Sequence, residues 1–259
     1  MAMSNAGTGS PPPGAKPPPG KPPRTPAEAA RTAREEARFG TAFLRAHGAR
    51  LLLLFAGLWL PLWGFGALVE ELDEGETFFF DLPLLELAHG LARKGLDHAF
   101  LVVSRLGYGH GVVPVDVVLV LALAWARRMR EGLFAGLALA GSALLNVLAK
   151  HVYARPRPDL WLSIAPETTY SFPSGHAMGS MTLGAVAVLL AWRTRWRWPV
   201  LAASAVGVVL VGLSRVYLGV HYPSDILAGW AAALAWTVAC YGLVFSERRP
   251  WAEGTASAG

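Results

Sequence analysis

Long apolar runs separated by short charged stretches are the feature that most constrains this chain. A bilayer core of about 30 Å is crossed by roughly 20 mainly apolar residues in a helix. Runs near that length recur along the sequence, at residues 51–69, 111–126, 133–150, 176–192, 198–214 and 225–245. They predict an all-α, polytopic membrane protein with six transmembrane helices.

The composition agrees with that prediction. Of the 259 residues, 53% are hydrophobic and 16% are charged, and the mean hydropathy of +0.38 is too apolar for an ordinary soluble domain. The net charge of +5 is dispersed between the apolar runs, so we predict no nucleic-acid partner. The single cysteine, Cys240, excludes an intramolecular disulfide and a cysteine-rich metal site.

The distribution of lysine and arginine predicts the orientation of the runs. Arginines precede the first run and follow the second, fourth and sixth, at positions 45, 50, 127, 128, 130, 193, 195, 197, 248 and 249. The positive-inside rule places these four groups of arginines, and therefore both termini, on the cytoplasmic side. An acidic stretch at 70–81 and segments 153–175 and 215–224 then lie outside. We expect a multi-pass protein of the plasma (inner) membrane with its active site on the extracytoplasmic face.

The two ends of the chain are predicted to lie outside the membrane. Residues 1–48 begin with a stretch rich in Pro and Gly, which predicts a disordered cytoplasmic N-terminus leading into a surface helix. Residues 49–246 would form the six-helix domain and residues 247–259 a cytoplasmic tail. Between the first two runs, residues 78–106 mix apolar and polar side chains with helix breakers. We expect short interfacial helices there, in the first outer loop.

Two of the predicted outer segments are rich in groups that bind phosphate. Lys150 and Arg157 belong to the first segment and Arg215 to the second, and few acidic residues lie near them in the sequence. A partly buried cation without a partner is costly. A phosphate group carries about −1.5 to −2 near neutral pH and fits the guanidinium fork. The three cations therefore predict a site for a polyanionic ligand.

Two predicted helix starts point to the same place. Ser174 and Gly175 precede the fourth apolar run as an N-cap, and Pro223 stands in the first turn of the sixth. The free amides and positive dipole of a helix N-terminus favour an anion, and Gly175 would let the backbone approach an oxygen closely.

Two histidines complete the candidate chemistry. His221 and Asp225 are four residues apart, so a helix beginning near His221 would let the carboxylate orient the imidazole. The free ring nitrogen could then attack phosphorus, and His176, at the other helix start, could protonate the departing oxygen. No cluster of acidic ligands accompanies these histidines. We therefore expect a reaction without a metal or cofactor.

These blocks resemble the three signature motifs of the type-2 phosphatidic acid phosphatase superfamily. Lys150 with Arg157 and Pro158 resembles the first motif, residues 173–176 the second, and Ser214 and Arg215 with His221 and Asp225 the third. The resemblance extends over about residues 51–245, including the six-span layout of the membrane branch of that family.

The resemblance implies a role for each residue. His221 would be the nucleophile that becomes a phosphohistidine, Asp225 its orienting partner and His176 the general acid. The phosphate would be held by the remaining motif residues, Lys150, Arg157, Ser174, Gly175 and Arg215. The implied partner is a lipid phosphate or diphosphate in the bilayer. Undecaprenyl diphosphate, phosphatidylglycerol phosphate and phosphatidic acid all stay open as substrates.

Three other functions are weighed against this one. A vanadium-dependent haloperoxidase has a similar site but is soluble. A transporter or channel would account for six spans but not for all three motifs, and a non-catalytic lipid-phosphate-binding protein would not need the complete set.

Two further residues matter: Asn146, one turn before Lys150, is predicted to orient that lysine, and Asp116 is a costly charge within the second run. The sequence assigns no role to Asp116 and no oligomeric state.

Overall fold

The structure is a computed structural model that describes residues 41, 48, 51–52, 54–74 and 78–245. Nearly all of the predicted N-terminal region (1–48) and the whole predicted tail (247–259) lie outside the described residues. The described residues form helices and contain no strand. The coarse prediction of an all-α fold is therefore confirmed for this part of the chain.

The helices follow one another with short connections, except for one long loop between α5 and α6. A π-helical turn, Phe55–Trp59, leads directly into the first α-helix. The α-helices are α1 (Leu60–Asp73), α2 (Asp81–Gly90), α3 (Lys94–Leu106), α4 (Val112–Trp125), α5 (Met129–Tyr153), α6 (Gly175–Ala191), α7 (Arg197–Tyr217) and α8 (Pro223–Val244).

Each predicted apolar run coincides with helix. The π-helical turn and α1 cover most of the first run, and α4 to α8 cover the other five. Among the described residues, α5, α7 and α8 are long and apolar enough to cross a membrane, whereas α4 and α6 are apolar but shorter. The protein is thus an integral membrane protein by the length and composition of its helices, and the count of six spans stays a prediction.

Large apolar side chains cover much of the outside of the bundle. Exposed examples occur on α4, α5, α7 and α8, including Leu121, Leu144, Val152, Val206 and Leu243. A water-soluble monomer rarely exposes so many in contiguous patches, because each costs free energy in water. Lipid chains remove that cost, so the exposed surface agrees with a membrane environment.

Helix α6 lies against α5, α7 and α8 and is the most central of the described helices. Small residues permit its close approach to α8. A Cβ on Gly229 of α8 would lie 2.9 Å from the carbonyl oxygen of Ser174, directly before α6. The start of α8 is therefore held against the start of α6, as the hydrogen bond from Ser174 N–H to the Asp225 carbonyl (3.1 Å) also requires.

One end of the bundle collects the predicted site residues, and we call it the site end. It is the end at which α5 and α7 finish and α6 and α8 begin. The long loop of residues 154–174 lies there, held for example by the hydrogen bond from Ser171 N–H to the Arg155 carbonyl (2.9 Å). The opposite end is an apolar core formed by Leu123, Phe134, Ala138, Val186 and Cys240 among others.

The segment predicted to form short interfacial helices contains α2 and α3. Both pack against α7, and α2 also contacts α8. The first residue of α2, Asp81, is 2% exposed, and Leu85 is fully buried. Asp81 accepts hydrogen bonds from Ser224 at the start of α8. The segment therefore forms part of the site end of the bundle.

Candidate active site

The imidazole of His221 lies at the centre of the site end and is 1% exposed. Its Nδ1 lies 3.3 Å from Oδ2 of Asp225, a fully buried carboxylate. Its Nε2 lies 3.1 Å from Nη1 of Arg157. A guanidinium can only donate, so Nε2 accepts this hydrogen bond and the ring proton is on Nδ1, facing Asp225. The nitrogen with the free electron pair is therefore Nε2.

The reason for the contact between His221 and Asp225 differs from the predicted one. Helix α8 begins at Pro223, so His221 precedes the helix and does not share a helical face with Asp225. Asp225 occupies the first turn, where its Oδ2 also accepts the Tyr222 N–H at 2.9 Å. The carboxylate thus caps α8, and this capping position brings it to the histidine.

A turn after α7 delivers His221 to this position. Helix α7 ends at Tyr217, and Gly219 adopts the left-handed backbone conformation with φ of 66°. A Cβ at Gly219 would lie 2.7 Å from the Trp161 indole, so a larger residue would be strained and crowded. The chain reverses here within a few residues, which places His221 between the two helices.

Burial decides the charge of the His221 ring. Desolvation, followed by the positive charges of Arg215 and Arg157, holds the pKa of His221 well below its usual value of 6.5. The ring is therefore neutral near neutral pH. A neutral ring with its proton on Nδ1 has its electron pair on Nε2, where it accepts the Arg157 hydrogen bond in this structure and could attack phosphorus once that contact is released.

Arg157 and Arg215, predicted as phosphate ligands, converge on one carboxylate. Nη2 of Arg157 lies 2.7 Å from Oε2 of Glu167, and the 2% exposed Arg215 also pairs with Glu167. Burial opposes the ionisation of Glu167, but the two arginines outweigh it and lower its pKa to about 2. An anion held by both arginines thus lies beside His221, on the side of Nε2.

Further hydrogen bonds fix the two arginines. Arg157 donates from Nε to the Thr169 carbonyl and from Nη1 to the Val220 carbonyl, both at 2.6 Å. Arg215 donates from Nη1 to the Ser104 hydroxyl of α3, while its Nε has no partner among the described residues. One donor of the Arg215 fork is therefore left for a further ligand.

Ser174, Gly175 and Lys150 are also brought to the site end. Ser174 accepts the Ala177 N–H at 3.4 Å, which confirms it as the N-cap of α6. Gly175 is the first residue of that helix. Lys150, near the end of α5, donates from Nζ to the Tyr170 carbonyl at 2.7 Å and to the Thr169 hydroxyl at 3.0 Å. The positions of all three agree with their predicted proximity.

His176 lies in the first turn of α6, with its ring 5.0 Å from the ring of Tyr108. The first turn of α6 belongs to the site end, so His176 lies there with the other motif residues. All eight residues predicted from the motifs therefore lie at the site end. Their chemical roles remain predictions.

Asn146 was predicted to orient Lys150, but its hydrogen-bond partner is a different residue. Its Nδ2 donates to the Pro173 carbonyl at 3.0 Å, whereas Lys150 finds its partners in the loop before α6. Asn146 thus fixes the peptide before the α6 N-cap and not the lysine.

Asp116 lines a cavity between α4, α5 and α6, together with Asn146 and Gly175, and its Oδ1 has no partner among the described residues.

Three contributing residues were missed by sequence reasoning. Glu167 is one of the few acids near the cations in the sequence, but its pairing with both Arg157 and Arg215 was not predicted. Arg155 and Asp81 form a buried ion pair at 3.0 Å, and Arg155 also reaches Asp225 at 2.7 Å. The run Arg155-Pro-Arg157-Pro could have pointed to Arg155, because Arg155 directly precedes a proline just as Arg157 of the motif does. Nothing local in the sequence distinguishes Asp81.

The described residues contain no group of three or more His, Cys, Asp or Glu side chains that could hold a metal ion. The carboxylates at the site end are instead matched with guanidinium groups. A helical bundle that surrounds a neutral histidine with arginines and two helix starts has groups of the kind that bind phosphate.

Comparison with known proteins agrees with this class. The profile of the PAP2 superfamily matches residues 131–249. An undecaprenyl-diphosphatase of Sulfolobus acidocaldarius is 31% identical over 58% of this chain and 72% of its own length. A decaprenylphosphoryl-5-phosphoribose phosphatase of Mycobacterium tuberculosis (strain CDC 1551 / Oshkosh) is 36% identical over 60% of this chain and 78% of its own.

A solved structure is also similar. The transmembrane PAP2-type phosphatidylglycerolphosphate phosphatase of Bacillus subtilis matches with a TM-score of 0.64 and 26% identity, over 73% of this chain and 98% of its own. The chain belongs to the PAP2 superfamily, in its lipid phosphatase branch, and it is a phosphatase.

The carboxylate of Glu167 should compete with phosphate for the two arginines. We expect Glu167→Gln to lower the inhibition constant of inorganic phosphate by about tenfold, because less of the enzyme is occupied by its own anion. The constant is measured from the inhibition of lipid dephosphorylation, followed through the lipid product. Glu86→Gln, an exposed residue of α2, is the control. Weaker inhibition by phosphate in Glu167→Gln would show that the carboxylate supports binding.

Proposed function

We propose that this protein removes phosphate from a membrane lipid phosphate or diphosphate through a phosphohistidine at His221. One observation carries the proposal: Arg157 contacts both Nε2 of His221 and the Glu167 carboxylate. An anion bound by Arg157 and Arg215 is therefore adjacent to the nucleophilic nitrogen. A phosphate that replaces the carboxylate would present its phosphorus to Nε2.

The proposed first step forms a bond between Nε2 of His221 and phosphorus and breaks the bond from phosphorus to the lipid oxygen. His176 gives its proton to that departing oxygen. Lys150, Arg157 and Arg215, with the Ser174 hydroxyl and the helix amides beginning at Gly175, stabilise the charge that develops on the equatorial oxygens. With a diphosphate, the departing group is the lipid monophosphate.

The second step returns the enzyme to its starting state. Water attacks phosphorus on the opposite side from His221, and His176 takes the proton of that water. The bond between phosphorus and Nε2 breaks, which releases inorganic phosphate and leaves His221 neutral. Asp225 keeps the proton of Nδ1 in place throughout, so the ring can carry a positive charge while it is phosphorylated.

The surroundings of the site support a lipid as substrate. The cavity of about 50 Å³ beside the site is lined mainly by apolar residues such as Val112, Val113 and Leu139, and it reaches Gly175. A lipid could approach between α4, α5 and α6 with its headgroup toward the cations. The named relatives act on prenyl diphosphate, decaprenylphosphoryl-phosphoribose and phosphatidylglycerolphosphate. Undecaprenyl diphosphate, phosphatidylglycerol phosphate and phosphatidic acid are the substrates to compare.

Purified protein in detergent should release inorganic phosphate from at least one of these three lipids, with EDTA present. His221→Asn should lower kcat by about 10⁴-fold, because no other group replaces the nucleophile. His98→Asn, on the exposed side of α3, is the control. Wild-type protein mixed with labelled substrate and quenched in alkali should carry an acid-labile phosphate.

Each result separates the alternatives. Turnover that survives in His221→Asn, or that EDTA abolishes, would contradict the proposed chemistry. A transporter would move lipid phosphate across vesicles equally well with His221→Asn. A non-catalytic binding protein would bind the lipids in wild-type form without releasing phosphate.

The value of kcat/KM should fall as the pH is lowered. Activity is lost as His221 gains a proton on Nε2, because the electron pair that attacks phosphorus is then occupied. The pKa of His221 is held well below 6.5 by burial, so the acidic limb should lie below pH 6.5. Rates measured from about pH 4 to about pH 10 test this. An acidic midpoint at or above pH 6.5 would contradict the assignment.

We infer that six spans cross the plasma membrane with both termini in the cytoplasm and the site end outside. The arginine clusters between α4 and α5 and between α6 and α7 support this orientation, because both lie at the end opposite the site. The only native cysteine, Cys240, is buried and will react slowly.

Single cysteines should therefore report the orientation. In intact cells, a membrane-impermeant maleimide should label Glu86→Cys on α2 but not Arg195→Cys between α6 and α7. Permeabilised cells should show labelling of both. The reversed pattern in intact cells would place the site end in the cytoplasm.

A further inference from the structure

The second oxygen of the Asp225 carboxylate has a partner outside the motif positions. Oδ1 of Asp225 accepts a hydrogen bond from Nη1 of Arg155 at 2.7 Å, and the same nitrogen donates to the Ser224 hydroxyl at 2.8 Å. Arg155 is 9% exposed, and Asp225 is fully buried. The carboxylate is therefore held from both sides, by His221 on Oδ2 and by Arg155 on Oδ1.

Arg155 is in turn held by a carboxylate from a distant part of the chain. Its Nη2 lies 3.0 Å from Oδ2 of Asp81, the first residue of α2. Asp81 also accepts the Ser224 N–H at 2.9 Å and the Ser224 hydroxyl at 2.6 Å. The guanidinium lies over the Tyr222 ring, with its central carbon 4.1 Å from the centroid. These contacts leave Arg155 one orientation.

The charges of this cluster complement the proposed reaction. Asp81 and Asp225 carry two formal negative charges and Arg155 carries one positive charge, so the buried cluster is net negative by one. Phosphoryl transfer to Nε2 makes the His221 ring positive, because Nδ1 keeps its proton. A net negative cluster beside the ring stabilises that charge in a site where little water screens it.

We propose that Arg155 and Asp81 are positioning residues that set the orientation and the charge of Asp225, and through Asp225 the reactivity of His221. This inference rests on the proposed phosphohistidine chemistry. Loss of Arg155 leaves two buried carboxylates without a cation between them, so Asp225 must rotate or take up a proton. Loss of the Asp81 charge leaves the cluster neutral and removes the stabilisation of the positive ring.

The kinetic test uses Arg155→Met, Arg155→Lys and Asp81→Asn, with a lipid phosphate that the wild-type protein hydrolyses. We expect Arg155→Met and Asp81→Asn to lower kcat about 10- to 100-fold, as loss of an orienting partner does elsewhere, with KM nearly unchanged because the phosphate ligands are intact. Arg155→Lys should recover part of the loss. Arg105→Met, an exposed arginine of α3, is the control.

A double mutant separates positioning from a general loss of structure. Arg155→Met should have little further effect on kcat in an Asp225→Asn background, because the path through Asp225 is already broken. Equal effects in the two backgrounds would overturn the inference. So would a loss of kcat in Arg155→Met that a lower melting temperature in detergent fully explains.

A spectroscopic measurement tests the inference without turnover. ¹⁵N-histidine spectra should show His221, assigned from its absence in His221→Asn, with its proton on Nδ1. Arg155→Met and Asp81→Asn should shift this signal, and Arg105→Met should not. An unchanged signal overturns the inference even if lipid phosphates are hydrolysed, whereas a shifted signal in a protein that releases no phosphate from any lipid would count against the proposed function alone.

Discussion

Buried charged side chains at the site end depend on partners of opposite charge. Asp225, Arg215 and Asp81 are at most 2% exposed, and the neutral ring of His221 lies among them at 1%. An isolated charge in such a place would cost several kcal/mol, so the groups persist only because they are paired and hydrogen-bonded. Two groups of charges result. One holds His221, the proposed nucleophile, through Asp225, and the other surrounds the Glu167 carboxylate on the side of Nε2.

The two groups of charges can form because helix ends meet there. Helices α6 and α8 begin at the site end, with Gly229 allowing them to approach, and α5 and α7 finish there. The helix starts offer unpaired amides, the loop of residues 154–174 offers Arg155 and Arg157, and the ends of α5 and α7 offer Lys150 and Arg215. The left-handed turn at Gly219 then inserts His221 between them. The site thus combines backbone dipoles with side-chain charge.

The proposed arrangement separates the phosphate from the rest of the lipid. In our proposal the groups around His221 bind the phosphate, which the named substrates of the relatives share. The cavity lined by Gly175 and Asp116 is the place at which, in our proposal, the lipid approaches. Differences in that region would alter the choice of lipid without altering the chemistry at phosphorus. Apart from Gly175, which also lines the cavity, the residues that we propose for catalysis are separate from those that would distinguish one lipid from another.

The sequence by itself determined the helical membrane character, the extent of the apolar helices and the identity of the eight motif residues. These features depend on hydropathy over about 20 residues and on short spacings, such as the four residues between His221 and Asp225. Even there, the sequence suggested a shared helical face, whereas the contact arises because Asp225 caps α8. Tertiary structure alone decided the partners of Arg155, Glu167 and Asn146. Asp81 and Ser224 are 143 residues apart, and Glu167 and Arg215 are 48 apart. Such pairings depend on how loops close over packed helices, a property that no local pattern records.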